Sequence, residues 1–307
     1  MLPTRPQPAT GTRRCCPLLF HRLPAALAAV AARGCALLVA SARVLAAGAL
    51  FIAVGVAGLA PASAATSHTW ILTGWNIHKL YGVNPALAQY FFNKPSSYGT
   101  GPQPATDPVK DGFATTPVLW YASYQQFASD VHSGVITYPY QWVMYDPEHS
   151  SRTPLKEQQD PGTYLRLFAQ LAHAHGYKVI ESPARVLGLA AGAVCPLEQG
   201  ETLNDWYLRC DIPGLGAAYS DIVLIQDQAN MKHVSVYAPF FNSAQQEALA
   251  VNPNVQVMSQ VSTDRGTAAQ MIAAAKSVTA EGYYVTISDS TVAKAVKFFT
   301  AMQAAGY

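Results

Sequence analysis

The sequence predicts an α/β fold, a (β/α)8-like barrel in a single domain, and three observations predict it. From residue 117 to the end, short apolar runs rich in Val, Ile and Tyr alternate with stretches of helical periodicity. Such alternation builds parallel βαβ units with right-handed crossovers. Once a leader over residues 1–64 is set aside, residues 65–307 amount to roughly 240 residues, a size these barrels reach as one unit. Polar and acidic residues recur directly after the apolar runs, where a TIM barrel collects its functional groups. Seven strands are distinct, so a seven-stranded or irregular barrel is left open. A doubly wound open sheet is the runner-up. It would bring a glycine-rich phosphate loop after a strand, and the sequence has none.

The first 64 residues read as an export signal. Residues 1–43 carry six arginines and no acid, Val44 to Ala60 is unbroken and apolar, and Ala62 and Ala64 hold the small-residue positions of a cleavage site. An uncleaved membrane anchor is the alternative, but about 17 apolar residues is the short limit for a span. Beyond the leader, "TWILTGW" (69–75) is the first strand. "NKPSSYGTGPQPATDPVKDG" (93–112) is too long and polar for a routine connection and is read either as a rim loop or as disordered. "PVLWYAS" (117–123) and "QWVMYD" (141–146) are the next strands, and residues 160–176 a helix opened by Pro161 and stopped by Gly176. "YKVIES" (177–182) follows as a strand, then 203–220 as one helix kinked at Pro213. Strands at 221–228, 255–262 and 283–290 then alternate with helices at 238–252, 267–282 and 291–306.

Removing the six leader arginines from 20 basic residues leaves 14 against 18 acids, a formal charge of −4. No basic patch is left to engage nucleic acid, and after signal cleavage no segment is left for a membrane. Cys15, Cys16 and Cys35 leave with the leader, while Cys195 and Cys210 form an even pair in an exported chain. A disulfide is expected, closing a loop worth about 3 kcal/mol in the chain-entropy model.

The stretch "VMYDPEHS" (143–150) carries the strongest chemistry. In extended backbone, residues i and i+2 share a face, which brings Asp146 and Glu148 together over the barrel mouth. Two close carboxylates resist joint ionisation, so one is expected to hold its proton near neutral pH and act as a general acid. Glu148 is assigned that role and Asp146 the charged, assisting one. Asp-Pro is equally a common turn element, which leaves both acids solvated in the alternative. Glu181, at the next strand end, is a candidate partner for Glu148 as acid and nucleophile. Asp227 and Gln228 are candidates for sugar hydroxyls, against a turn-capping role for Asp227. Asp289 follows the last strand. Trp75, Tyr121 and Tyr145 (with Trp120) offer a stacking surface for pyranose rings, against ordinary packing. Asp146, Glu148, His149 and Asp227 are also possible metal ligands, but no dense ligand motif such as H-E-x-x-H is present, and no cofactor is called for.

Asp-x-Glu at a barrel strand end resembles the glycoside hydrolases of the family 18 chitinase and family 25 lysozyme types. The resemblance rests on Asp146 and Glu148 and departs from family 18 in lacking further aspartates upstream and in holding Pro147 between the acids. The whole chain also resembles secreted actinobacterial proteins, a likeness that carries no mechanism. The resemblance implies a secreted, glycosidase-like hydrolase acting on a glycan or other small polar substrate. A non-catalytic barrel binding glycan or cell wall is the second expectation, and a metal-dependent hydrolase the third.

Overall fold

The runs of Val, Ile and Tyr become parallel strands, and each pairs with the next in the chain. The structure, a computed structural model, describes residues 68–102 and 112–307. The export signal expected over 1–64 lies outside them. The strands are β1 (Thr69–Thr73), β2 (Ser97–Gly101), β3 (Thr116–Tyr121), β4 (Trp142–Tyr145), β5 (Lys178–Glu181), β6 (Ile222–Ile225), β7 (Gln256–Ser262) and β8 (Gly282–Thr286). β8 pairs back onto β1, so the sheet closes as an eight-stranded parallel barrel and not as an open sheet. Among the described residues, no helix is long and apolar enough to cross a membrane.

The eighth strand is β2, "SYGTG", inside the segment expected to be rim loop or disorder. Its serine and glycines carry little β-propensity. Ladders to β1 and β3 on either side hold it, and the Ser97 hydroxyl donates to the carbonyls of Phe92 and Lys94 at 2.9 and 2.7 Å. The first strand also stops earlier than expected. Gly74 opens helix α1 (Gly74–Val83), with the Thr73 hydroxyl capping Asn76 N–H, so Trp75 lies in a helical first turn. The kinked helix expected over 203–220 is two, Leu203–Arg209 and Ile212–Ala217. The break falls at Asp211, which has the left-handed φ of 51°, and Pro213 sits harmlessly in the first turn of the second helix.

Alternation along each strand sorts the side chains into two layers. Ile71, Tyr98, Val118, Met144, Ile180, Ile222, Leu224, Met258 and Tyr284 fill the barrel interior. Their neighbours, such as Trp70, Leu72, Val143, Val179, Val223 and Val285, face the surrounding helices. One residue further along each inward row lies the mouth.

Cys195 and Cys210 are joined, with 15 residues of separation. Reduction is expected to lower the unfolding free energy by about 3 kcal/mol if the loop-entropy account holds. Urea unfolding with and without reductant measures it, and an unchanged midpoint would remove the bond from the stability of the fold.

Candidate active site

The inward row ends in Thr73, Thr100, Trp120, Asp146, Gln260 and Thr286, and these residues line a cleft of about 680 Å³. Trp75, Glu148, Arg152 and Tyr284 complete its walls. Asp146 follows directly on β4, and its N–H still donates to the Tyr121 carbonyl at 2.8 Å, which continues the strand by one residue and aims the carboxyl inward. The turn after it is tied on both sides. Glu148 N–H donates to the Thr153 hydroxyl at 3.0 Å, that hydroxyl donates to the Ala122 carbonyl at 2.8 Å, and Ala184 N–H donates to the Pro147 carbonyl at 3.1 Å. The acid-bearing turn is thus fixed to the loops after β3 and β5.

Asp146 is buried. Its carboxylate accepts from Trp120 Nε1 at 3.0 Å and from Gln226 Nε2 at 2.6 Å. Gln226 is itself held, donating to the Ser182 carbonyl at 2.8 Å. Burial, followed by the charge of Glu148, pushes the Asp146 pKa up to about 7, and hydrogen bonds from Trp120 and Ser182 and the charge of Arg152 pull it back only in part. Glu148 is 35% exposed and lies 3.6 Å from Arg152, whose guanidinium sits 5.1 Å over the Trp120 ring. Asp146, to which the charged, assisting role was assigned, is the buried member of the pair, because the strand carries it inside while the proline turn leaves Glu148 facing the open cleft.

Other candidates lie elsewhere, and strand phase explains most of them. Tyr145 and Glu181 are one residue out of step with the inward row and face the helices. Tyr145 donates to Glu157 Oε2 at 2.9 Å and stacks on Phe168 at 4.7 Å. Tyr121 donates to Asp130 Oδ2 at 3.0 Å and lines an adjoining cleft. Asp227 is buried between sheet and helices. It accepts from the Ser259 hydroxyl at 3.0 Å and from Gln260 N–H at 3.1 Å, which ties it to β7, and burial raises its pKa. Gln228 is half-buried away from the cleft walls, with its Oε1 lacking a hydrogen-bond partner. Asp289 is 85% exposed and pairs with Lys79, whose ammonium lies 4.9 Å over the Trp75 ring. Trp75 lines the cleft and is 58% exposed. Among the described residues, no group of three His, Cys, Asp or Glu is disposed to hold a metal ion.

Glu181 is fully buried, and neither carboxyl oxygen has a hydrogen-bond partner. Burial raises its pKa well above the ordinary 4.5. A carboxyl that keeps its proton to higher pH when folded contributes fully below the unfolded value, and that contribution is lost as pH rises above 4.5 toward the folded value. Glu181→Met, of similar length and with no charge to bury, is expected to be more stable than the wild type at pH 7, with the difference shrinking toward pH 4. Urea midpoints across that range test it, and a pH-independent difference would sink it.

Thr100 and Arg152 were missed as site residues. Thr100 was findable by counting in twos from the inward apolar residues; Arg152 lies in the turn beyond β4 and had no periodic signal. Glu157 was also missed. It is buried and accepts from Ser123 Oγ, Tyr124 N–H, Gln125 N–H and the Tyr145 hydroxyl at 2.7–3.0 Å, capping the helix Tyr124–Ser133 and locking the ends of β3 and β4 together.

No family model matches the chain, and no curated protein does either. One solved structure similar to it is an active-site mutant of Rhizomucor miehei β-1,3-glucanosyltransferase in complex with laminaritriose, with 8% sequence identity and a TM-score of 0.40. The match covers 72% of this chain and 87% of that one. The closed barrel of the present chain stands on its own strand pairing.

Proposed function

We propose that this protein is an exported glycan hydrolase in which Asp146 and Glu148 handle the proton at the glycosidic bond. The observation that supports it most is the sharing of one cleft, at the C-terminal end of the strands, by two acids of which the buried one has its pKa pushed up to about 7. At pH 7 a carboxyl with a pKa of about 7 is about half protonated, so Asp146 is the member that stores the proton. Glu148, facing the open cleft, passes to the leaving oxygen a proton drawn from Asp146. Asp146, held by Trp120 and Gln226 behind it, becomes charged as that proton leaves, and its negative charge meets the positive charge growing on the sugar. Trp75 offers an exposed apolar face to a ring, and Thr73, Thr100, Gln260 and Thr286 offer polar groups around it. Glu181 is withdrawn as nucleophile, since it faces the helices. Asp146 and Glu148 are the only acids among the described lining residues, so the attacking group is water or a substituent of the sugar itself.

Export is supported by the leader composition and by the Cys195–Cys210 bond. A second reading, a barrel that binds glycan without cutting it, is favoured by the lack of a further acid among the described lining residues and by the pairing of Glu148 with Arg152. Product formation on a panel of soluble glycans separates the two. The hydrolytic reading also fixes a pH profile. The shared proton is needed, so kcat/KM is expected to fall above a pKa of about 7, by roughly tenfold per pH unit. A profile flat from pH 6 to 9 would remove Asp146 from the proton path.

A further inference from the structure

A second cleft, of about 630 Å³, adjoins the first. The two share three lining residues, Pro102, Trp120 and Arg152, so one wall divides them. From this we infer that the two clefts form one binding track, and that the substrate is a chain of several sugar units lying across the Trp120–Arg152 ridge with the cut made on the Glu148 side. The inference rests on the glycan reading of the first cleft and deepens it by naming an extended polyhydroxyl chain as the substrate class.

The second cleft has the chemistry for such a chain. Its floor is apolar where Leu119 and Tyr121 come up from β3, and its far wall is the polar face of the helix Tyr124–Ser133. Tyr121 and Gln126 donate to Asp130, at 3.0 and 2.7 Å, which fixes that carboxylate in the wall. The Gln125 amide and the Ser129 hydroxyl are exposed in the same wall and make no side-chain hydrogen bond among the described residues, so an amide and a hydroxyl are left to meet sugar hydroxyls. Between the clefts, Arg152 is 61% exposed and covers one face of Trp120. A sugar crossing the ridge would pack against this guanidinium or take its place over the aromatic face. Each cleft alone is in the roughly 300–1,000 Å³ range that holds a small ligand, and a shared wall gives the pair room for a longer one.

The test uses the mature protein and three soluble series, cello-, laminari- and chito-oligosaccharides of two to six units, with binding measured by calorimetry on Glu148→Gln so that cutting does not interfere. The expected result is that, in one series, the six-unit ligand binds at least about tenfold more tightly than the two-unit ligand. In a Ser129→Trp background, where an indole fills the second cleft, that gain is expected to vanish. Gln125→Ala, a truncation at an exposed site that leaves folding untouched, is expected to reduce the gain in part. Affinity that is flat with length, or a gain that survives Ser129→Trp in a folded protein, overturns the track while leaving the glycan reading in place. Absence of binding in all three series overturns both.

Discussion

Glu148→Gln is expected to lower turnover on a cleaved glycan by about 10²–10⁴-fold with no change in the unfolding transition. The stability half of this expectation follows from exposure. Glu148 is 35% exposed, and its link to Arg152 at 3.6 Å is a surface ion pair, a class that contributes little. The activity half follows from chemistry, since an amide of the same shape has no proton to give. Asp146→Asn should behave differently. Asp146 accepts from two fixed donors, Trp120 Nε1 and Gln226 Nε2, and an asparagine must turn its own NH₂ toward one of them. The variant therefore loses the proton store and also about 1–3 kcal/mol of stability through a donor left facing a donor. Rates on the cleaved glycan and urea midpoints, measured together, separate the two effects. Full activity in Glu148→Gln would end the hydrolase assignment to this pair.

Gly282→Ala is expected to cost about 3 kcal/mol or more. Gly282 lies opposite Thr69 where β8 meets β1, the seam that closes the barrel. A Cβ there would sit 2.2 Å from the Thr69 carbonyl oxygen and 2.6 Å from Met258 Cε. The methionine end can move, but the carbonyl belongs to the ladder, so strands must part or the register must shift. Gly82→Ala is the control. It lies in helix α1 with nothing within 4 Å of the added carbon, and is expected to gain about 0.5–1 kcal/mol from helix propensity. If both variants unfold at the wild-type midpoint, the seam is looser than the strand pairing implies.

Much of the barrel was legible because its strands are buried on both faces and therefore apolar throughout, as "IVLI" in β6 is. β2 was not legible, because "SYGTG" is held by its neighbours and says nothing of strand by composition. The helical break at Asp211 was likewise misplaced onto Pro213, since a proline in a first turn and one in mid-helix look alike until the turn is known. In the site, Asp146 and Glu148 were legible from their spacing, and Trp75 from its place after β1. Tyr145 and Glu181 were chosen for their position along the strand without regard to its two-residue period. A residue adjacent to an inward one must face outward, and that rule was available before any coordinates.

Local pattern by itself determined the alternation of strand and helix, the acid pair after β4 and the cysteine pair, because each depends on near neighbours in the chain. Only the tertiary structure decided which acid is buried, since Asp146 is enclosed beside partners such as Trp120 and Gln226, 26 and 80 positions away. The same holds for the closure of β8 on β1 and for the second cleft beside the first. Both arise where segments distant in sequence are brought within contact, and no periodicity in the chain encodes that distance.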